Sequence, residues 1–247
     1  MAIALSGIKG VVLAGGLGTR MYPLTKITNK HLLPIYNKPM IYYPIEKLVS
    51  VGIREIMVVT GGNHAGEFLR LLGNGRDFGL KELHYTYQEG EGGIAEALNL
   101  TRDFVKQDRV CVMLGDNIFE DNLSKAVAKY MKIKKGSMIF LKEVNDPKRF
   151  GVPDLVNGKV VKIDEKPKVP KSKYAVTGIY LYDNSVFKIT NKLKPSARGE
   201  LEITDVNNAY IMKNQMYYEI LSGWWTDAGT FESLHRAGNL IADNYIN

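Results

Sequence analysis

The sequence predicts an α/β fold, a doubly wound and mainly parallel Rossmann-like sheet carrying an inserted, smaller β-rich lobe. Three observations point to it. Through the first half of the chain, short apolar runs alternate with segments of helical spacing, the pattern of parallel strands joined by crossover helices. The first run, Ile8 to Ala14, reads as a buried strand and opens straight into a glycine turn. From about residue 137 the runs shorten and the pattern changes. One domain of 247 residues is expected, with a first lobe over about 1–136, a second over about 137–229 and a C-terminal helix over about 230–247.

In chain order, strands are expected at Ile8–Leu13, Glu55–Thr60, Leu83–Tyr87 and Val110–Leu114, with helices at Ile41–Val51, Ala65–Leu72, Ile94–Phe104 and Leu123–Ile133. Within the first helix, Ile41, Ile45, Leu48 and Val49 share one face, and Pro39 lies just ahead of its start. In the second lobe, Asn157-Gly158 suits a two-residue hairpin turn with positive φ, and Pro153 puts one arm at a sheet edge. An apolar run at Val176–Tyr182, helices at Ser185–Leu193 and Thr204–Lys213, and a last helix from about Thr230 complete the chain.

Composition narrows the function classes. With 45% apolar and 24% charged residues the chain is globular, and no apolar stretch approaches the ~20 residues that cross a bilayer. The start lacks the basic-then-apolar layout of a signal peptide, so a soluble cytoplasmic protein without a membrane partner is expected. The single cysteine, Cys111, sits in an apolar run and reads as a buried structural thiol. The net charge of +7 is concentrated in residues 132–173, where eleven lysines and Arg149 face five acids. No zinc-finger spacing and no regular interleaving of aromatic and basic residues accompanies it, which favours small anionic substrates over nucleic acid.

The chemistry concentrates at strand ends. Gly15, Gly16 and Gly18 free backbone N–H groups for close approach to an anion, and Arg20 and Lys30 add charge where phosphate would lie. The loop is neither a Walker A motif nor G-x-G-x-x-G, since Met21 stands where a third glycine would be. In such sheets ligands bind beyond the carboxyl ends of the strands, where both this loop and Gly115-Asp116 would emerge. Asp116 suits a magnesium ligand, and Asp227 is the candidate second carboxylate, although spacing alone does not pair them and an aspartate after a strand or before a helix is more often a cap. Lys166, after the hairpin, could hold a second phosphate or simply be solvated.

The stretch Gly15-Gly16-Leu17-Gly18-Thr19-Arg20, with Lys30-His31-Leu32-Leu33-Pro34, closely resembles the nucleotide signature of the sugar-1-phosphate nucleotidyltransferase family. The similarity continues through Glu165-Lys166-Pro167, Arg198-Gly199-Glu200-Leu201-Glu202 and Trp225-Thr226-Asp227-Ala228-Gly229, covering almost the whole chain. Within the family it resembles the short form of the thymidylyl-transferring branch. The resemblance implies that Ala14, Gly15, Gly16, Gly18, Thr19, Arg20, Lys30 and Asp116 wrap a triphosphate and that Gln88 and Gly93 read a pyrimidine. It implies Mg²⁺ on Asp116 and Asp227, sugar contacts from Asn117, Gly151, Glu165 and Val176, and Lys166 on the sugar phosphate. Arg20, Lys30 and Lys166 would be the catalytic cations, the substrates dTTP and glucose 1-phosphate, and the protein a homo-oligomer.

Two departures stand out. The chain ends soon after its last helix, without the extension that in longer members contributes to a feedback site, so feedback control is not expected. His31 stands where the long form usually has glutamine, so contacts there are expected to differ, while His64, His84 and His235 lack metal-ligand spacing. The competing readings are the same chemistry with UTP, a catalytically silent nucleotide-sugar sensor and, more remotely, a dinucleotide oxidoreductase, which the missing third glycine disfavours.

Overall fold

The computed structural model describes residues 4–246. The first half builds a parallel sheet from β1 (Ile8–Ala14), β4 (Glu55–Gly61), β5 (Glu82–Gln88) and β6 (Arg109–Leu114). A small antiparallel pair, β2 (Pro34–Ile35) and β3 (Lys38–Pro39), follows the signature loop. The intervening helices are α1 (Tyr42–Ser50), α2 (Ala65–Leu72), α3 (Ile94–Asn99) and α4 (Arg102–Val105). Beyond β6 come β7 (Asn117–Phe119), α5 (Ser124–Met131), β8 (Ser137–Glu143), β9 (Gly151–Val156), β10 (Lys159–Glu165) and β11 (Tyr174–Tyr182). The chain closes with α6 (Val186–Thr190), α7 (Ile203–Ile211), β12 (Met216–Ile220), β13 (Trp225–Asp227) and α8 (Phe231–Ile246).

The main sheet has seven strands in the order β12-β8-β11-β6-β1-β4-β5, and every pairing is parallel except those of β11. Its central strands are buried on both faces. Along β1, Ile8, Val12 and Ala14 join one core with Ile45, Leu48, Phe68 and Val127, while Val11 and Leu13 join the other with Leu98, Val105, Val206 and Tyr210. The alternation is the period-2 geometry of a strand, and it places α1, α2 and α5 on one side and α3, α4, α6 and α7 on the other. Three strands from beyond residue 137, β8, β11 and β12, extend this same sheet, so the expected boundary near residue 136 does not fall between sheets.

Two further expectations need correction. The segment expected as one helix over Ile94–Phe104 is two, because the Thr101 amide and hydroxyl both donate to the Leu98 carbonyl, at 3.0 and 2.7 Å, and tighten the chain into a turn. The helix expected over Ser185–Leu193 spans only Val186–Thr190. The Asn157-Gly158 hairpin forms as expected between β9 and β10, with both residues at positive φ, 49° and 73°. Among the described residues, no helix is long and apolar enough to cross a membrane.

Candidate active site

β1 and β6 run parallel with Leu13 opposite Leu114, so the loops that follow them leave the same edge of the sheet. The Gly115 amide donates to the Leu13 carbonyl at 2.9 Å and holds the two exits together. Two hollows open above this edge. One, of about 260 Å³, is lined by Gly15, Gly16, Lys30, Gln88 and Gly93; the other, of about 430 Å³, takes Arg20, Asn117, Gly151, Glu165, Lys166 and Val176. Asp116 borders both, and Asp227 borders the larger. Of the expected nucleotide residues, Ala14, Gly18 and Thr19 line neither: the Ala14 side chain belongs to the core, and Gly18 packs against the stem of Lys30.

The two aspartates, which spacing could not pair, are brought together by the short β7–β13 ladder. Asp227 lies opposite Asn117, and the Ala228 amide donates to the Asp116 carbonyl at 2.7 Å. A Cβ at Gly229 would lie 3.2 Å from Arg20 Nη2 and 3.6 Å from Oδ2 of both Asp116 and Asp227, so all three charged groups surround one point. Lys30 Nζ donates to Asp116 Oδ2 at 2.6 Å, and Asn117 Nδ2 donates to Asp116 Oδ1 at 3.0 Å. Asn117 is itself fixed, its Oδ1 accepting from the Gly178 amide and from Trp225 Nε1, each at 2.8 Å.

Electrostatics separate the pair. Burial, the largest single influence, pushes the Asp116 carboxyl upward, but the charges of Lys30 and His31 and the hydrogen bonds from Lys30 and Asn117 together outweigh it and hold it well below the usual carboxylate range. Asp227 is raised, first by burial and then by the charge of Asp116, with Arg149 pulling the other way from 3.3 Å. Two carboxylates in mutual repulsion are a donor set that a divalent cation would relieve. Among the described residues, no group of three or more His, Cys, Asp or Glu side chains is placed to hold a metal. The pair fits a divalent cation that takes one or two carboxylates and completes its shell with water and phosphate oxygens.

Across the larger hollow, β10 ends at Glu165, whose Oε2 accepts from Thr204 Oγ1 at 2.6 Å. Lys166 follows in the left-handed region at φ 44°, its amide donating to the Phe150 carbonyl at 3.0 Å. A non-glycine residue held there is costly, roughly 1–3 kcal/mol, and such strain clusters at ligand sites. In the smaller hollow Gln88 Nε2 donates to the Gly93 carbonyl at 3.1 Å and to Glu96 Oε2 at 2.7 Å. His31 is buried beside it, its ring Nδ1 2.7 Å from Asn29 Oδ1, and burial followed by the Lys30 charge lowers its pKa to about 3.

Several lining residues escaped the sequence reading. Arg149 is one of twelve cations in the basic stretch 132–173, with nothing local to single it out, and its 3.3 Å contact with Asp227 brings it to the site. Arg198, whose Nη2 lies 2.8 Å from Glu202 Oε2 and 3.5 Å from Glu165 Oε1, belongs to the family-like segment 198–202, where its residue type alone assigns it no role. Trp225 was likewise legible only as part of a motif, and nothing local announced its bond to Asn117.

A doubly wound sheet with anion-suited glycines, converging cations and paired carboxylates at one edge is the arrangement of a phosphate-transferring enzyme. The chain belongs to the Nucleotidyl transferase family, whose sequence profile matches residues 9–244. Among its relatives, glucose-1-phosphate thymidylyltransferase of Neisseria meningitidis is 44% identical over 238 residues, covering 95% of this chain and 82% of that one. The Mycobacterium tuberculosis protein of the same name is 42% identical with the same coverage. A crystal structure, with sucrose, of a Bacillus anthracis chain assigned as a glucose-1-phosphate thymidylyltransferase superposes with a TM-score of 0.92 at 52% identity, covering 96% of each chain. A UDP-glucose pyrophosphorylase solved with UDP-glucose shares the fold at a TM-score of 0.85 and 23% identity, over 99% of this chain and 100% of that one.

Proposed function

We propose that the protein condenses dTTP with α-D-glucose 1-phosphate to give dTDP-glucose and pyrophosphate, and that it does so in the cytoplasm. The carrying observation is the meeting of Arg20, Asp116 and Asp227 around Gly229, with Asp116 bordering both hollows. The relatives named glucose-1-phosphate thymidylyltransferase support the choice of substrates. The smaller hollow takes the nucleotide and the larger the sugar phosphate, so that the phosphates meet beside Asp116.

In the reaction a phosphate oxygen of glucose 1-phosphate bonds to the α-phosphorus of dTTP, and the bond from that phosphorus to the bridging oxygen breaks as pyrophosphate leaves. A phosphate monoester has its second pKa near ~6, so at neutral pH the nucleophile is already largely dianionic and no protein base is required. The obstacle is repulsion between two polyanions. Lys30 and Arg20 neutralise the triphosphate, Lys166 draws the sugar phosphate to the opposite side, and the backbone of Gly15 and Gly16 fits closely around the phosphates. Asn117, Gly151, Glu165 and Val176 hold the sugar, and Gln88 and Gly93 hold the base. Mg²⁺, held by Asp116 and Asp227, would supply further charge neutralisation on the phosphate oxygens.

UTP is a second reading, because uracil presents the same N3–H to Gln88 as thymine does, and UTP differs from dTTP only by the 2′-hydroxyl and one methyl group, the latter worth only ~1–3 kcal/mol of discrimination. A pyrophosphate-release assay over a grid of nucleoside triphosphates and sugar 1-phosphates, with Mg²⁺ and with a chelator, tests both. The expected result is turnover confined to dTTP, and more weakly UTP, with glucose 1-phosphate, abolished by the chelator. Turnover with GTP and mannose 1-phosphate instead, or none with any pair, would overturn the reading.

A further inference from the structure

We propose that Glu96 is a specificity-determining positioning residue: by holding the amide nitrogen of Gln88, it leaves that side chain able only to accept a hydrogen bond from the base. The inference rests on the proposed function, since it supposes that the smaller hollow receives a nucleobase.

Gln88 ends β5 and is buried, with its carboxamide at the wall of the hollow. A primary amide can present either its oxygen or its nitrogen, and which one it presents decides what base edge it accepts. Here Nε2 lies between two acceptors, the Gly93 carbonyl at 3.1 Å and Glu96 Oε2 at 2.7 Å. Turning the amide over would set its oxygen against a carbonyl and a carboxylate, with the carboxylate bond the stronger of the two lost. The orientation is therefore fixed, and Oε1 faces the glycine loop, only 2.8 Å from where a Cβ at Gly15 would be.

Glu96 is itself placed for this purpose. It lies in the first turn of α3, and its carboxylate fills the space beside Gly92, where any Cβ would fall 2.0 Å from Oε2. The Leu201 amide donates to the Gly92 carbonyl at 2.8 Å and pins the turn in front of it.

The chemical consequence is selection between pyrimidines. Thymine and uracil carry an N3–H donor that meets the Gln88 oxygen. Cytosine carries a lone pair at N3, which would face that oxygen with no proton between them, leaving two acceptors in contact. An unlocked glutamine could rotate and donate to cytosine N3. A locked one cannot.

The test compares kcat/KM for dTTP, UTP and dCTP at saturating glucose 1-phosphate in the wild type and in Glu96→Ala, Glu96→Asp and Glu96→Gln. Alanine removes the acceptor, and aspartate withdraws it by one methylene while keeping the polarity of the site, so it serves should the alanine variant not fold. In both, the preference for dTTP over dCTP is expected to fall by about 10-fold or more, with dTTP against UTP unchanged. Glutamine keeps an acceptor oxygen in place and is expected to restore the preference. A uniform fall for all three nucleotides, leaving the dTTP-to-dCTP ratio unmoved in both variants, would reduce Glu96 to a packing role and overturn the proposal. Should the wild type use no pyrimidine nucleotide at all, it is the proposed function that fails; with dTTP used and the ratio unmoved, only the assignment of Glu96 does.

Discussion

Asp116 and Asp227 are the same residue type in one cluster, yet their surroundings push them in opposite directions. Lys30, 2.6 Å away and slightly more buried, keeps Asp116 ionised. Asp227 feels that ionised neighbour, which the exposed Arg149 and, more weakly, Arg20 offset only in part. Substitution should therefore split stability from activity. Asp227→Asn removes a repulsion and is expected to leave the melting temperature equal to or above that of the wild type, while lowering turnover by roughly 10²–10³. Asp116→Asn leaves the Lys30 charge without its partner and is expected to cost stability, on the order of a few kcal/mol, along with activity. Thermal melts of the ligand-free proteins alongside initial rates check both, and a destabilised Asp227→Asn would count against the repulsion.

The site depends on two small elements. β7 and β13 are three residues each, but their pairing sets Asn117 opposite Asp227 and so fixes the distance between the carboxylates. β11 supports the ladder from the other side, where its register with β8 shifts between Val176 and Tyr180 and the Gly178 amide turns to Asn117. A Cβ at Gly178 would fall 2.6 Å from both Asn117 Nδ2 and Leu114 Cγ, closer than packed atoms come. Gly178→Ala is expected to cost about 1–3 kcal/mol in denaturant unfolding, because Leu114 and Asn117 must yield. Its turnover is expected to fall further than that loss explains, since Asn117 carries Asp116. Unaltered activity in a folded Gly178→Ala protein would show that Asn117 does not position the carboxylate.

At the scale of the molecule, acid stability sums over every group whose pKa changes on folding. His31 stays neutral in the folded protein down to about 3 but takes a proton near ~6.5 when unfolded. Between those values the unfolded chain holds a proton that the native one lacks, so His31 removes about 1.4 kcal/mol of stability for each pH unit below ~6.5. Asp116, lowered in the native state, contributes stability above ~3.9 that disappears on further acidification, whereas Asp227, raised, gains from acid. The first acid loss therefore belongs to His31. His31→Gln is expected to flatten stability against pH between ~6.5 and ~4.5 in chelator-treated, ligand-free protein, as read from denaturant midpoints; an unchanged slope would assign the loss elsewhere.

The sequence by itself determined what depends on neighbours a few residues away. The apolar run of β1, the glycine turn after it, the Asn157-Gly158 hairpin and the helical face of α1 all follow from side-chain period and local backbone preference. The exit of Gly15 and Asp116 from one edge followed too, because parallel strands with crossover helices leave little choice. Only the tertiary structure decided the rest: that Lys30 meets Asp116, that Arg149 meets Asp227, that Glu96 holds Gln88, and that β8, β11 and β12 extend the main sheet. These contacts join segments whose separation along the chain carries no periodic signal, or depend on which rotamer a buried side chain adopts. Strand register and close packing set them, and both come from the assembled core rather than from any local stretch of residues.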